Sequence, residues 1–114
     1  MRFLMFVCLE SKDAAPTPPN TDPGMGIDEW VETMDGRGAR LIGDVLVPAK
    51  EACAVRVRGD EVVVTDGPFV ETKEIIAGFD VLEAADMKEA IEIAAAHPMA
   101  REGVLELRAF AEFD

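Results

Sequence analysis

The chain has 114 residues, of which 49% are apolar, and it carries a formal net charge of −12. This length predicts a single domain, and the apolar content is typical of a chain with a buried core. The charge disfavours nucleic acid and anionic membranes as partners, because phosphate groups repel an acidic surface. The apolar runs in the sequence are also shorter than the ~20 residues of a membrane-spanning helix.

The first predicted element is a strand over residues 2–9, whose two alternating faces are both apolar. That pattern is typical of a strand covered on both sides. A basic residue before a short apolar stretch also occurs in signal peptides, but polar residues 10–13 follow instead of a small-residue cleavage site. We therefore expect a cytoplasmic protein. The proline-rich residues 10–24 are predicted to form a loop.

A helix is predicted next, with Asp22 as its N-cap and Pro23 in the first helical position. Its apolar residues share one face at helical spacing, namely Ile27, Trp30, Val31 and Met34. Gly36 and Gly38 are suited to end it.

The remaining elements complete a ferredoxin-like pattern. In chain order they are a strand over 39–44, a hairpin of 52–58 and 61–65, a strand over 75–84, a helix over 86–97 and a strand over 104–110. Asp86 and Glu89 form a capping box at the start of the second helix, and Pro98 ends it. The order β-α-β, hairpin, β-α-β predicts an α+β fold with one antiparallel sheet and two helices on one face.

Two helices cover only one face of such a sheet, although the first strand is apolar on both faces. A second copy of the chain can cover the other face and form a two-fold homodimer, a dimeric α+β barrel. Alternatively, the hairpin and the proline-rich loop fold back over that face. We expect the homodimer.

Nothing in the sequence predicts a metal ion or a cofactor. His97 is the one histidine, and the chain has neither a His-x-x-x-His pattern nor a cluster of cysteines and histidines. Cys8 and Cys53 lie in apolar strand patterns, so we expect buried, reduced thiols rather than a redox pair. The sequence also lacks a phosphate-binding glycine loop and a nucleophile elbow.

The segment Asp66-Gly67-Pro68-Phe69 interrupts the strand pattern. A structural account is sufficient for it: Asp66 can hold a turn, Gly67 permits an unusual backbone, Pro68 fixes it and Phe69 anchors the loop. The alternative is that Asp66 belongs to a functional site.

The same segment, followed by Glu71-Thr72-Lys73-Glu74, resembles the signature of the DGPF-domain family within the YCII-related group. Residues 56–60, 62–65 and 103–108 stand in the same order around it, so the resemblance covers nearly the whole chain. It implies a dimeric, ferredoxin-like α+β-barrel domain without a settled activity. Members are described near sigma-factor-like proteins, which suggests a transcription-related protein partner. Relatives in the wider group have been suggested to use an Asp–His pair in a cleft.

Three residues are candidates for proton transfer, namely Asp66, Asp80 and His97. Asp80 shares a strand face with Leu82, so its carboxylate either points into a cleft, where desolvation raises its pKa, or faces water. His97 is either a helix C-terminal residue that interacts with the helix dipole or a general acid–base held by Asp66.

The candidate ligand-binding residues surround the signature: Arg56, Asp66, Gly67, Pro68, Phe69, Lys73 and Glu74. Arg56 and Lys73 either hold an anionic ligand or pair with neighbouring carboxylates. The leading hypothesis is a small-molecule-binding homodimer whose cleft is edged by the signature loop. The alternatives are a small enzyme that uses Asp66 or Asp80, with His97, for proton transfer, and a protein-interaction module linked to transcription.

Overall fold

The computed structural model describes residues 1–10, 24–67 and 74–112, which form an α+β fold. The strands are β1 (Arg2–Glu10), β2 (Arg40–Val45), β3 (Cys53–Arg58), β4 (Glu61–Asp66), β5 (Glu74–Glu83) and β6 (Val104–Ala109). The helices are α1 (Ile27–Gly36), α2 (Met87–Ala95) and α3 (Met99–Glu102). Four strands form an antiparallel sheet in the order β2-β5-β1-β6, while β3 and β4 form a separate hairpin. This arrangement confirms the predicted α+β class and is compatible with the ferredoxin-like pattern.

Helix α1 begins later than the sequence predicts. Its N-cap is Gly26, without a side-chain cap, and the predicted start at Pro23 is wrong. The reason is Gly24, whose φ of 60° turns the chain away from a helical path. The C-terminal end is as predicted: Gly38 has a φ of 69°, and its N–H donates to the carbonyl of Asp35. Asp22 and Pro23 themselves lie outside the described residues.

Helix α2 begins with the predicted capping box. Asp86 accepts a hydrogen bond from the backbone N–H of Glu89 at 2.9 Å, and the Glu89 carboxylate accepts one from Ala85 at 3.3 Å. The helix ends at Ala95, after which Pro98 leads into the short helix α3 that the sequence analysis did not predict. This break turns the chain and places His97 between two helices.

The hydrophobic core lies between the sheet and its helices. Phe3 and Leu82 are directly opposite each other on β1 and β5, and both pack with Trp30 of α1 and Ile93 of α2 in one buried cluster. The Trp30 indole N–H donates to the carbonyl of Ile93 at 3.0 Å, which ties the two helices together. The helices thus cover one face of the sheet, as predicted.

The β3–β4 hairpin presents an apolar surface to solvent. Val55 pairs with Val64 and Val57 with Val62, so the four side chains share one face, which we call the four-valine face. These residues are 57–66% exposed. Cys53, predicted to be buried, is exposed because it begins this hairpin, away from the core.

None of the helices in the described ranges has the length and apolar character needed to cross a bilayer.

Candidate functional site

A cavity of 540 Å³ lies at one end of the helix-covered sheet face. Its lining includes Val7 of β1, Val45 of β2, Ile27 and Val31 of α1, and Met99 of α3. These walls are apolar, and the volume is within the range of pockets that enclose small molecules. The cavity is partly open to solvent, since the lining residues Ile27 and Val45 are exposed, and a depression of this size in a close-packed domain needs a structural reason.

Two glycines supply that reason, because they leave the floor of the cavity without side chains. Gly78 of β5 pairs with Val45, and Gly43 of β2 pairs with Asp80. A methyl group added to Gly43 would collide with the Asp80 carboxylate, and one added to Gly78 would lie 2.9 Å from the carbonyl of Asp44. The close approach of backbone and carboxylate at this point therefore requires glycine.

An ion pair between the half-buried Arg40 and the buried Asp80 forms the polar part of the floor. The Nε of Arg40 donates to Oδ1 of Asp80 at 2.8 Å, and Asp80 is only 6% exposed. The two Nη groups of Arg40 donate to Asp35, at 3.1 Å, and to the carbonyl of Gly43, at 3.0 Å. The guanidinium is therefore engaged on all three of its nitrogens, which fixes its position.

Asp80 is placed in the cleft and not toward water. Desolvation by burial raises the pKa of its carboxyl above the ordinary 3.8, although the hydrogen bond from Arg40 acts in the opposite direction. Within the described ranges, no donor bonds its second oxygen, Oδ2. This geometry leaves one carboxylate oxygen available for a ligand or a proton.

His97 lies in the cavity wall and is 2% exposed. Its Nδ1 accepts a hydrogen bond from the backbone N–H of Met99 at 3.0 Å, and its ring packs edge-on against Trp30 with the ring centres 4.6 Å apart. Desolvation lowers the pKa of His97 to about 4, so the imidazole is neutral at pH 7. A neutral ring has no charge to interact with the helix dipole, so that interpretation of His97 is not supported.

The structure brings together two of the three proton-transfer candidates, because Asp80 and His97 line the same cavity. Asp66 and Arg56 lie instead on the exposed hairpin. Gly67 closes the base of that hairpin, where its N–H donates to Ala52 at 2.7 Å and its φ is 93°. The assignment of Asp66 to a site therefore stays a prediction.

The other signature residues have little or no described structure. Pro68, Phe69 and Lys73 lie outside the described residues, and Glu74 is the first residue of β5. Their predicted contribution to ligand binding is therefore untested.

Arg40 and Gly43 were not predicted from the sequence to be site residues. Arg40 begins a short apolar strand, and its partner Asp80 is forty positions away, so no local pattern links them. Gly43 carries a weak signal, because a glycine inside a strand marks a bulge or a close approach. A register irregularity indeed lies between Arg40 and Ile42.

The described residues hold no cluster of three or more His, Cys, Asp or Glu side chains that could bind a metal ion. The comparison with protein families gives a match to the YCII-related domain over residues 5–114. The chain belongs to the YCII-related family. This confirms the resemblance at the level of the group, whereas membership of the DGPF subfamily stays a prediction.

One relative of this YCII-related domain is an uncharacterised protein of Rhizobium meliloti (strain 1021). The two are 43% identical over 49 residues, a segment that covers 43% of this chain and 40% of that protein. The chain thus matches less than half the length of the relative. Neither the family description nor the relative names an activity, so function has to be inferred from the site.

Proposed function

We propose that this YCII-related domain binds a small, mainly apolar molecule in the 540 Å³ cavity. The observation that carries the proposal is that a part-buried ion pair, Arg40–Asp80, and a buried neutral histidine, His97, line one largely apolar space. Apolar pockets with a few convergent polar groups and displaced pKa values are typical of ligand sites.

The signature loop is the proposed edge of this cavity. Gly67, at the base of the hairpin, and Glu74, at the start of β5, flank residues 68–73. Strand β5 then contributes Ala77 and Gly78 to the cavity. The loop is thus joined in sequence to the strand that forms the floor, but Asp66 and Gly67 are not among the residues that line the cavity, so the place of this segment at its mouth stays a prediction.

A fragment screen by thermal shift tests the binding site. Val31 is half-buried in the cavity wall, so Val31→Phe fills the space, whereas Val47→Phe makes the same change at an exposed loop position. We expect fragments that raise the Tm of wild type to raise that of Val47→Phe equally and to leave Val31→Phe unchanged. Equal stabilisation of Val31→Phe, or no stabilisation of wild type by any fragment, would contradict the proposal.

The proposed assembly is a homodimer, which the four-valine face supports. A two-stranded hairpin is marginally stable by itself, and these valines have no cover among the described residues. A second copy supplies an identical apolar surface through a two-fold axis. The opposite face of the main sheet adds to it, because Leu4 and Phe6 are only half-buried.

Sedimentation equilibrium tests the homodimer. Val62→Lys places a charge on the four-valine face, and Val63→Lys places the same charge on the other face of the same strand. We expect a dimer for wild type and Val63→Lys, and a shift toward monomer for Val62→Lys. The dimer proposal fails if wild type sediments as a monomer or if both variants dissociate equally.

A second candidate is an enzyme in which Asp80 moves a proton. The favouring observation is that Asp80 has a raised pKa, has one carboxylate oxygen to which no described residue donates, and lines the same cavity as His97. Carboxyl-detected NMR titration tests it, with Asp80→Asn to assign the signal. An ordinary pKa for Asp80 would remove the basis of this candidate.

A transcription-related protein partner rests on the family resemblance. The net charge of −12 argues that any such role acts through a protein rather than through DNA. Co-purification of the intact chain with the transcription machinery would support it, and a chain that recovers no such component would count against it.

A further inference from the structure

The position of the proton on His97 follows from its backbone partner. The N–H of Met99 can only donate, and it is directed at Nδ1 of His97 at 3.0 Å. Nδ1 therefore holds a lone pair, and in the neutral ring the hydrogen is on Nε2. Such a ring is a hydrogen-bond donor through Nε2. Nε2 already carries a hydrogen, and Nδ1 cannot accept a proton without losing the bond to Met99.

This Nε2–H donor has no acceptor among the residues that the structure describes, although His97 is almost completely buried. Buried donors in folded proteins nearly always find an acceptor. The ring lines the cavity, and its packing against Trp30 restricts its rotation. A molecule in the cavity is therefore the natural source of the acceptor.

The charges of the described lining residues disfavour an anion in this role. The charged side chains in the lining are Arg40, Asp44, Asp80 and Glu102. Arg40 is already bonded to Asp80 and, outside the lining, to Asp35. A carboxylate or phosphate would meet the buried carboxylate of Asp80 and the exposed carboxylates of Asp44 and Glu102, while the one cation, Arg40, is already neutralised. Like charge beside the desolvated Asp80 is unfavourable.

We infer that the cavity selects an uncharged, largely apolar molecule whose carbonyl oxygen accepts a hydrogen bond from Nε2 of His97, a conclusion that rests on the binding function proposed above. His97 then recognises the ligand as a fixed neutral donor. It polarises the carbonyl and does not shuttle a proton, which differs from the general acid–base role considered from the sequence.

Nitrogen-detected NMR on uniformly labelled protein tests this directly, because the chain has one histidine and its imidazole signals need no assignment by mutation. The probes are acetophenone, ethylbenzene and benzoate, which share a ring and differ in the acceptor and in charge. We expect acetophenone to bind about three- to tenfold more tightly than ethylbenzene, the contribution of one hydrogen bond. Its binding shifts the Nε2–H signal, and benzoate binds more weakly than either neutral probe.

His97→Phe keeps a ring in the wall and removes the donor. We expect this variant to bind acetophenone and ethylbenzene equally. If the variant does not fold, the wild-type signals still decide the question. The inference is overturned if the free protein shows the Nδ1–H tautomer, if bound acetophenone leaves the Nε2 signal unmoved, or if benzoate binds most tightly.

The two proposals fail in different ways. If neutral probes bind in the cavity with no preference for the ketone, the binding function stands and the donor role of His97 is wrong. If none of the three probes changes the signals of cavity residues, the binding function itself fails, and the ligand class fails with it.

Discussion

The two ends of the helix-covered sheet face differ in packing, although strands β1 and β5 and helix α1 contribute to both. At one end, Phe3 of β1 and Leu82 of β5 are fully buried under Trp30. At the other end, β5 and β2 carry Gly78 and Gly43, and a cavity takes the place of the core. The difference follows residue size, since large side chains fill one end of the face and glycines leave the other end open. The strands pair through both ends, with register irregularities between Val7 and Cys8 and between Arg40 and Ile42.

Polar groups are placed where the core gives way to the cavity. Asp80 lies opposite Met5, two pairs along the strands from Phe3 and Leu82 and therefore on the same face. Arg40 reaches it from the edge strand and completes the pair. A buried carboxylate is costly without such a partner, so the open end is the more demanding of the two to maintain.

The largest effect is expected at the packed end. Trp30→Ala removes a fully buried ring and the hydrogen bond to Ile93. We expect the free energy of unfolding to fall by about 3–5 kcal/mol, the usual cost of deleting a buried aromatic side chain. Urea denaturation followed by circular dichroism measures this. A loss below about 1 kcal/mol would mean that this end is not the core.

The next effect concerns pH at the boundary between core and cavity. The pKa of His97 is lowered from 6.5 to about 4 in the folded protein, so between these values the unfolded chain binds a proton that the folded chain does not. The free energy of unfolding therefore has its full value, as far as His97 is concerned, above pH 6.5. It decreases as the pH falls from 6.5 toward about 4, because protons bind the unfolded chain first. The loss amounts to about 3 kcal/mol.

Unfolding of wild type and His97→Phe across this pH range isolates the effect. The other charged side chains of the cavity are the same in both proteins, so their effects largely cancel in the difference between the two free energies of unfolding. These side chains are Arg40, Asp44, Asp80 and Glu102. We expect the wild type to lose stability relative to the variant between pH 6.5 and 4. Parallel pH profiles would show that His97 titrates normally.

A smaller effect is expected from filling the floor of the cavity. Gly43→Ala places a methyl group against the Asp80 carboxylate and 2.8 Å from the carbonyl of Phe79. We expect a loss of about 2 kcal/mol, typical of overpacking, together with loss of probe binding. Gly36→Ala is the control, because its methyl group meets nothing within 4 Å at the end of α1. Equal stability of the two variants would contradict a requirement for glycine at position 43.

The packed end could be predicted from the sequence because its signals are local. Trp30 and Met34 share a helix face by spacing alone, and the Asp86 capping box marks the start of α2 within four residues. Both predictions are confirmed by the structure. The order of the strands follows from the same local elements once they are combined into the ferredoxin-like pattern.

The cavity end could not be predicted because it depends on long-range pairing. The sequence left Asp80 between a cleft and solvent, and only the register of β2 with β5 places Gly43 and Arg40 beside it. The environment of His97 depends on the break between α2 and α3, because the N–H of Met99 at the start of α3 bonds its ring. The sequence predicted only that a helix ends before Pro98, not that a second helix follows. Residues that are distant in sequence thus decide the chemistry of the site.

The smallest effect is expected at Ile27, which lies one helical turn before Trp30 on the same side of α1. Ile27 is 49% exposed and borders the cavity, so Ile27→Ala should lower the free energy of unfolding by less than about 1 kcal/mol in the free protein. With a saturating neutral probe the cost should increase, because the ligand completes the packing that the glycine floor leaves out. Urea denaturation with and without acetophenone measures both values. If Ile27→Ala without ligand lowered the free energy of unfolding as much as Trp30→Ala, the two ends would be packed alike. If the loss caused by Ile27→Ala were the same with and without acetophenone, Ile27 would not contact the ligand.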